Sequence, residues 1–431
     1  MIEIITKINS AVNNFVWGPV MLLLLVGTGV YLTARTGCIQ AAKFGYIMRN
    51  TVGSLFRRRE KRDKDAKNLT PFQAVTTALA GTVGTGNIAG VTGAIFAGGP
   101  GAVFWMWFAA FFGMFTKFAE IVLALKYRQV DENGVHYGGY YIEKGLGMKW
   151  LAVLFSLVAG FACFGIGNIS QSSEIAGAME GLFGMSGLTT GVLLAVVVGI
   201  VVLGGVQRIG RVTSYMVPFM AIFYIGAGLA VILLRIDQVP AALASIFTSA
   251  FSFEAVGGGV FGYAIMVAMR QGFARGVFSN EAGLGSAPMA HAASETQEPV
   301  EQGMWGVFEV FIDTIVICTL TSLAVILSGV LDVGLDSYAT NGAAAVAAFN
   351  AILPGTIGGT IIQISLLFFA LSTILGWSYY GERCWAYLSN NNKAVVWVFK
   401  VVFVLVCIVG ATGNGTLMWD ISDTLNGMMA I

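Results

Sequence analysis

Apolar residues in this chain gather in runs about 20 residues long, the length a bilayer asks of a helix. They fall at 15–33, 72–95, 102–126, 149–172, 188–206, 213–234, 257–281, 304–329, 356–386 and 394–412. A last run opens near 416, so the pattern predicts about eleven spanning helices. The first run lacks a basic start and a small-residue cleavage site, which separates it from a signal peptide.

Two of these runs are expected to break. GTVGTGNIAG occupies 81–90, and GGGVFGYAIMVAMRQGFARG occupies 257–276. Glycine is costly in a helix interior, and a spanning backbone cannot leave its N–H and C=O groups facing lipid. A break is tolerated where the freed groups face protein, water or a ligand. One break in each half of a membrane chain points to the central site of a secondary transporter. Taken alone, each glycine patch also suits close packing of neighbouring helices.

Composition agrees with a chain solvated by lipid. Of 431 residues, 56% are hydrophobic and 11% charged, against about 25% charged in soluble domains. The mean hydropathy is +0.78. The 56 glycines against 8 prolines suit closely packed helices. A net charge of +1 excludes nucleic-acid binding driven by bulk charge. Cys38, Cys163, Cys318, Cys384 and Cys407 are scattered and mostly apolar in setting, which reads as small buried hydrophobes. With only His136 and His291, no histidine-rich metal site can be built.

Basic residues set the orientation. The segment 34–70 carries RRREKRDKDAK at 57–67, besides Arg35, Lys43 and Arg49. Further cations follow the third, fifth and ninth runs, at Lys126, Arg128, Lys144, Lys149, Arg208, Arg211, Arg383 and Lys393. With alternating helices these loops share one side. That side is expected to be cytoplasmic, with the N-terminus outside. No phosphate-cradling loop and no nucleophile–histidine–acid arrangement stands out. A pump and a membrane enzyme are therefore disfavoured, and no ring of like charge suggests a channel. Coupling to an ion gradient fits better.

TALAGTVGTGNIAGVTGAIFAGGPGAVFWMWFAAFFGMFTKFAE at 77–120, GFARGVFSNEAGLGSAPMAHAA at 272–293 and LSTILGWSYYGERCW at 371–385 closely resemble the alanine/glycine:cation symporter family. The resemblance covers nearly the whole chain, and SNEAGLGSAP is its most specific element. It implies import of alanine or glycine with sodium across a bacterial inner membrane. It also implies the fold of the leucine-transporter-like symporters. That fold is two inverted five-helix repeats, here helices 2–6 and 7–11, with helices 2 and 7 broken and one extra N-terminal helix. VGTGN at 83–87 is similar to the unwound first core helix of the neurotransmitter:sodium symporters. Family members usually continue past a stretch like NGMMAI with more apolar residues. The last helix is therefore expected to be incomplete at Ile431. A carrier of another small metabolite on the same fold, coupled to a cation or proton, is the alternative.

Physics and resemblance together name a site. The carboxylate of a small zwitterion wants N–H donors at a half-helix N-terminus. Gly84 and Gly86 let the backbone come close, while Thr85 and Asn87 offer side-chain groups. Gln171 lies in the fourth helix, beside the substrate in this fold; a helix–helix hydrogen bond is its other use. Thr373 and Trp377 share a helix face, so the hydroxyl could meet the ligand while the indole walls a pocket for alanine, glycine or D-alanine. Met269, Gln271 and Phe273 are candidates near the second break. The resemblance places sodium on the carbonyls of Ala80, Val83 and Phe369 and the hydroxyls of Ser372 and Thr373. Those hydroxyls could instead bond back to their own helix.

Charges inside the runs complete the picture. Lys117 and Glu120 are one turn apart, which predicts a local pair. Glu309 and Asp313 share a face, with Arg270 or Arg275 as possible partners or a proton as possible cargo. Asp420 and Asp423 open the last helix, where capping is expected.

Overall fold

Helix boundaries follow the punctuation of the sequence. In a computed structural model, residues 2–56, 68–130, 136–137, 141–251, 261–413 and 415–430 are described. The basic segment 57–67 and the start of the glycine run at 257–260 lie outside the described residues. The first apolar run forms α2 (Pro19–Arg35), which begins on a proline and follows α1 (Ile2–Val16). Thr70 and Gln73 build a capping box around Pro71 and start α3 (Pro71–Thr82). The helix then stops at the predicted break. One 3₁₀ turn, Thr85–Asn87, leads into α4 (Ala89–Gly98), bent by 56° from α3.

The chain continues with α5 (Gly101–Lys126), α6 (Lys149–Phe164), α7 (Ser170–Phe183), α8 (Gly187–Val202) and α9 (Gly205–Leu234). A π-helical turn, Gly165–Ile169, fuses α6 to α7, so the fourth run reaches well past its expected end. The short apolar α10 (Val239–Phe251) lies where the pattern placed no helix. α11 (Phe261–Asn280) and α12 (Ala287–Ala292) follow. A second π segment, Phe311–Cys318, joins α13 (Pro299–Val310) to α14 (Thr319–Leu327). After α15 (Asn341–Ile352) come α16 (Ile357–Leu388), α17 (Lys393–Thr412) and α18 (Gly415–Met428).

Among the described residues, seven helices are long and apolar enough to cross a membrane, or eight with the bent pair. The helices α8, α11 and α18 occupy the three other places in the expected order. Leu23, Val196, Ile200, Ile222, Leu233 and Leu405 stay exposed on helix faces, as a lipid-facing surface requires.

Among the described residues, 261–276, the glycine run shows no break. α11 is continuous from 261 to 280. The chain unwinds afterwards, at 281–286, where Glu281, Gly283 and Gly285 take φ of 56°, 93° and 70°. The glycines of α11 serve packing instead. A methyl on Gly272 would overlap the Ala102 carbonyl oxygen, and one on Gly276 would lie 3.5 Å from Met106. Small residues thus let α11 lie against α5. α16 approaches α3 as closely: a methyl on Gly376 would sit 2.6 Å from the Gly81 nitrogen.

Candidate functional site

Gly84 lies between α3 and the 3₁₀ turn in an extended conformation, φ −136° and ψ −159°. Any residue can adopt it, so the glycine is required by space. A methyl there would overlap Thr373 Oγ1 on α16 and lie 3.5 Å from Gln171 Oε1 on α7. The first break is thereby wedged between those two helices. The Gly84 N–H donates to Asn87 Oδ1 at 2.9 Å. Thr85 donates to Gln171 Oε1 from its N–H at 3.3 Å and its hydroxyl at 3.0 Å, while Gln171 Nε2 donates to the Ile166 carbonyl at 2.9 Å. Asn87 Nδ2 donates to Asp313 Oδ1 at 2.7 Å, and its carbonyl accepts from Thr321 Oγ1 at 2.8 Å. All of these side chains are buried.

Thr85, Gly86, Asn87, Gln171 and Thr373 therefore lie together, as the sequence suggested. Trp377 lies one turn along the same face of α16, fully buried, with its Cβ against Gly167. The three candidates on α11 do not join them. Phe273 packs its ring on Trp105 and Phe108, at 5.5 and 6.0 Å between centroids. Gln271 lines a separate polar cavity of about 310 Å³ with Asn13, Asn14, Arg270, Arg275 and Asp423. Met269 sits at the edge of the main apolar core. The displaced break explains this. The α11 residues beside Gly86 are Phe278 and Ser279, 3.1 and 3.9 Å from where its Cβ would be.

Four of the five groups assigned to sodium also meet. Ser372 Oγ donates to the Phe369 carbonyl at 2.8 Å and reaches the Val83 carbonyl at 3.3 Å. Thr373 Oγ1 donates to the same Phe369 carbonyl at 3.0 Å. Ala80, the fifth, is fully buried in the last turn of α3. Both hydroxyls bond back within their helix, and Ser372 bridges to the first break as well. The cluster is uncharged and made of oxygen, the ligand that hard cations take.

The buried charges pair differently from expectation. Lys117 reaches past Glu120 to Glu309 at 3.2 Å and donates to the Asn280 carbonyl at 2.8 Å. The other Glu309 oxygen meets His291 Nε2 at 2.7 Å. Glu120 instead accepts from the Gly283 and Gly285 amides, at 3.3 and 3.1 Å. Asp313 is held by Asn87, Ser279 and Thr314, the last two at 2.7 and 2.8 Å. Arg270 donates to Asn14 Oδ1, and Arg275 pairs with Asp423 at 2.9 Å. Asp423 thus lies within α18 and ties it to α11, where a cap was expected; the side chain of Asp420 lies outside the described residues. Sequence reasoning missed Glu281, Ser279 and Thr321. The signal for the first two was the unusual SNEAGLGS run itself.

Comparisons with known proteins place this geometry. A sequence profile of the sodium:alanine symporter family matches residues 2–431. The sodium/alanine symporter AgcS of Methanococcus maripaludis is 47% identical over 100% of this chain and 93% of its own. A probable sodium/glutamine symporter of Bacillus subtilis is 36% identical over 100% of this chain and 87% of its own. In fold, the chain resembles MhsT, crystallised with L-phenylalanine, at a TM-score of 0.61 and 16% identity. That match covers 86% of this chain and 89% of MhsT. The chain belongs to the sodium:alanine symporter family, multi-pass secondary transporters of the leucine-transporter-like fold rather than enzymes.

Proposed function

We propose that this protein imports alanine and glycine together with sodium by alternating access across the bacterial inner membrane. The observation that carries the reading is the wedge of the first break between Gln171 and Thr373. There Thr85, Gly86 and Asn87 start a half-helix whose N–H groups and positive dipole end suit a carboxylate. Gln171 and Thr373 flank that point with acceptors for an ammonium group. Sodium binds next to it, on Ala80, Val83, Phe369, Ser372 and Thr373. The substrate's carboxylate offsets the ion's charge nearby, so each strengthens the binding of the other. Gly84 packs directly on Thr373 and Trp377 fills the next turn. The side-chain space left is small, and glycine, L-alanine and D-alanine fit it better than leucine.

The test is uptake into proteoliposomes. An inward sodium gradient concentrates labelled alanine, and choline in place of sodium abolishes this at constant pH. Equal accumulation in choline would remove sodium from the mechanism. One observation favours a second reading, in which a proton shares the coupling. Asp313 is fully buried and bonds to the neutral donors Asn87, Ser279 and Thr314. In that case a pH gradient alone drives uptake, and D313N abolishes the pH-driven component.

A further inference from the structure

The Trp377 indole is fixed from three sides. Its Cβ packs against the backbone of Gly167 in the first π turn, where any side chain would collide. Its ring meets Tyr380 edge-on at 5.5 Å between centroids. Its Nε1–H donates to Glu281 Oε1 at 2.9 Å. A buried indole N–H needs such a partner, and its loss leaves an unsatisfied donor in an apolar site. Glu281 is 1% exposed, and its second oxygen accepts from the Ser286 hydroxyl across the unwound segment. It is also a non-glycine residue in the left-handed region, φ 56°, a conformation that persists only where its surroundings hold it.

The two partners sit on different parts of the fold. Trp377 belongs to the long α16, while Glu281 belongs to the break after α11. Gly167 and Gln171 share one helical face, and Thr373 and Trp377 another. Gln171 and Thr373 approach Gly84, and one turn further Gly167 meets Trp377. The indole therefore lies one turn along α16 from the contact with the first break. Which way it points is decided by the hydrogen bond from the second.

From this geometry we propose that Glu281 is a positioning residue for substrate size. It holds the Trp377 ring as the wall that excludes side chains larger than a methyl, acting as a hydrogen-bond acceptor and not through its charge. The proposal rests on the reading of Trp377 as a wall of the alanine site. It also makes the size limit depend on the second break staying against α16.

The experiment measures sodium-driven uptake of labelled alanine and its inhibition by leucine. In the wild type alanine accumulates and leucine competes poorly; absence of alanine accumulation would overturn the transport reading itself. Replacing Trp377 by 3-benzothienylalanine keeps the ring's size and removes only the N–H donor. Leucine should then compete about tenfold better, the loss expected for one buried hydrogen bond to a carboxylate. E281M should match it, and the two changes together should add nothing further. E281Q keeps an acceptor and the side chain's shape, so it should discriminate like wild type. Two results would overturn the proposal while leaving alanine transport intact. One is wild-type discrimination with the benzothienyl ring; the other is an E281Q as permissive as E281M. If E281M does not fold, the ring analogue and E281Q decide the matter alone.

Discussion

At the residue scale, Ser372 and Gly84 carry separable predictions. Ser372 Oγ bridges the Val83 and Phe369 carbonyls, so S372A removes a proposed sodium ligand and no proposed substrate contact. Its loss is worth about 1–3 kcal/mol. Alanine binding to the purified variant should weaken about tenfold at limiting sodium and recover as sodium is raised, because linked affinities are reciprocal. An unchanged sodium dependence would show that α16 does not hold the ion. At Gly84 the backbone is ordinary and the space is not, since Thr373 Oγ1 occupies the position of the missing methyl. G84A should therefore abolish alanine binding, and G84A/T373A should regain a folded protein with poor sodium dependence. That these residues come together was legible because VGTGN is dense in glycine and polar groups inside an apolar run, and because Thr373 and Trp377 lie four apart. The pairing of the charges was not legible. Lys117 lies one turn from Glu120, yet it reaches Glu309 and the free carbonyl of Asn280 on other helices. Local spacing says nothing about partners brought in by tertiary packing.

Among the elements, the two breaks show what glycine does and does not signal. The first was placed correctly because its glycines stand beside Thr85 and Asn87, which bond to the turn and to other helices. Gly272 and Gly276 gave the same compositional signal and lie in an intact helix, because they serve contact with α5. The true second break uses positive φ at Gly283 and Gly285, where the Glu120 carboxylate accepts the freed amides. Substitutions should therefore act differently along this stretch. G272V inserts bulk against the Ala102 carbonyl and should destabilise by about 1–3 kcal/mol, an overpacking cost, seen as a lower melting temperature in detergent. The folded fraction of G272V should keep the wild-type preference for alanine over leucine. A changed preference with unchanged melting would mean that this part of α11 lines the substrate site after all.

Taken whole, the molecule divides its polar contacts into two sets. Lys117–Glu309, Lys117–Asn280, Glu120 with the 283–285 amides, and Asn87–Asp313 all join α3–α4, α5, α11–α12 and α13–α14 to one another. Other contacts join this bundle to helices outside it, among them Thr85–Gln171, Val83–Ser372, Glu281–Trp377, Arg275–Asp423, Thr77–Thr213, Tyr224–Thr321 and Arg270–Asn14. The ionic contacts deep inside the bundle are costly to break. Those across its edge include contacts that rest on one hydrogen bond each, Ser372–Val83 and Trp377–Glu281. Among the described residues, Arg275–Asp423 is the one ion pair in the crossing set. It lies on the wall of the polar cavity, and the guanidinium sits 5.2 Å from the centre of the Phe278 ring, which in turn covers Gly86. These groups run from the cavity wall to the first break. The pair is partly solvated, with side chains 20% and 11% exposed, so its strength is modest and screened by salt. D423N keeps the side chain's size and removes the charge. Dissociation of labelled alanine from D423N in detergent should be a few-fold faster than from wild type, and high salt should narrow the difference. The swap R275D/D423R should restore slow release. If release from D423N is unchanged, the pair ties α11 to α18 without gating the way out.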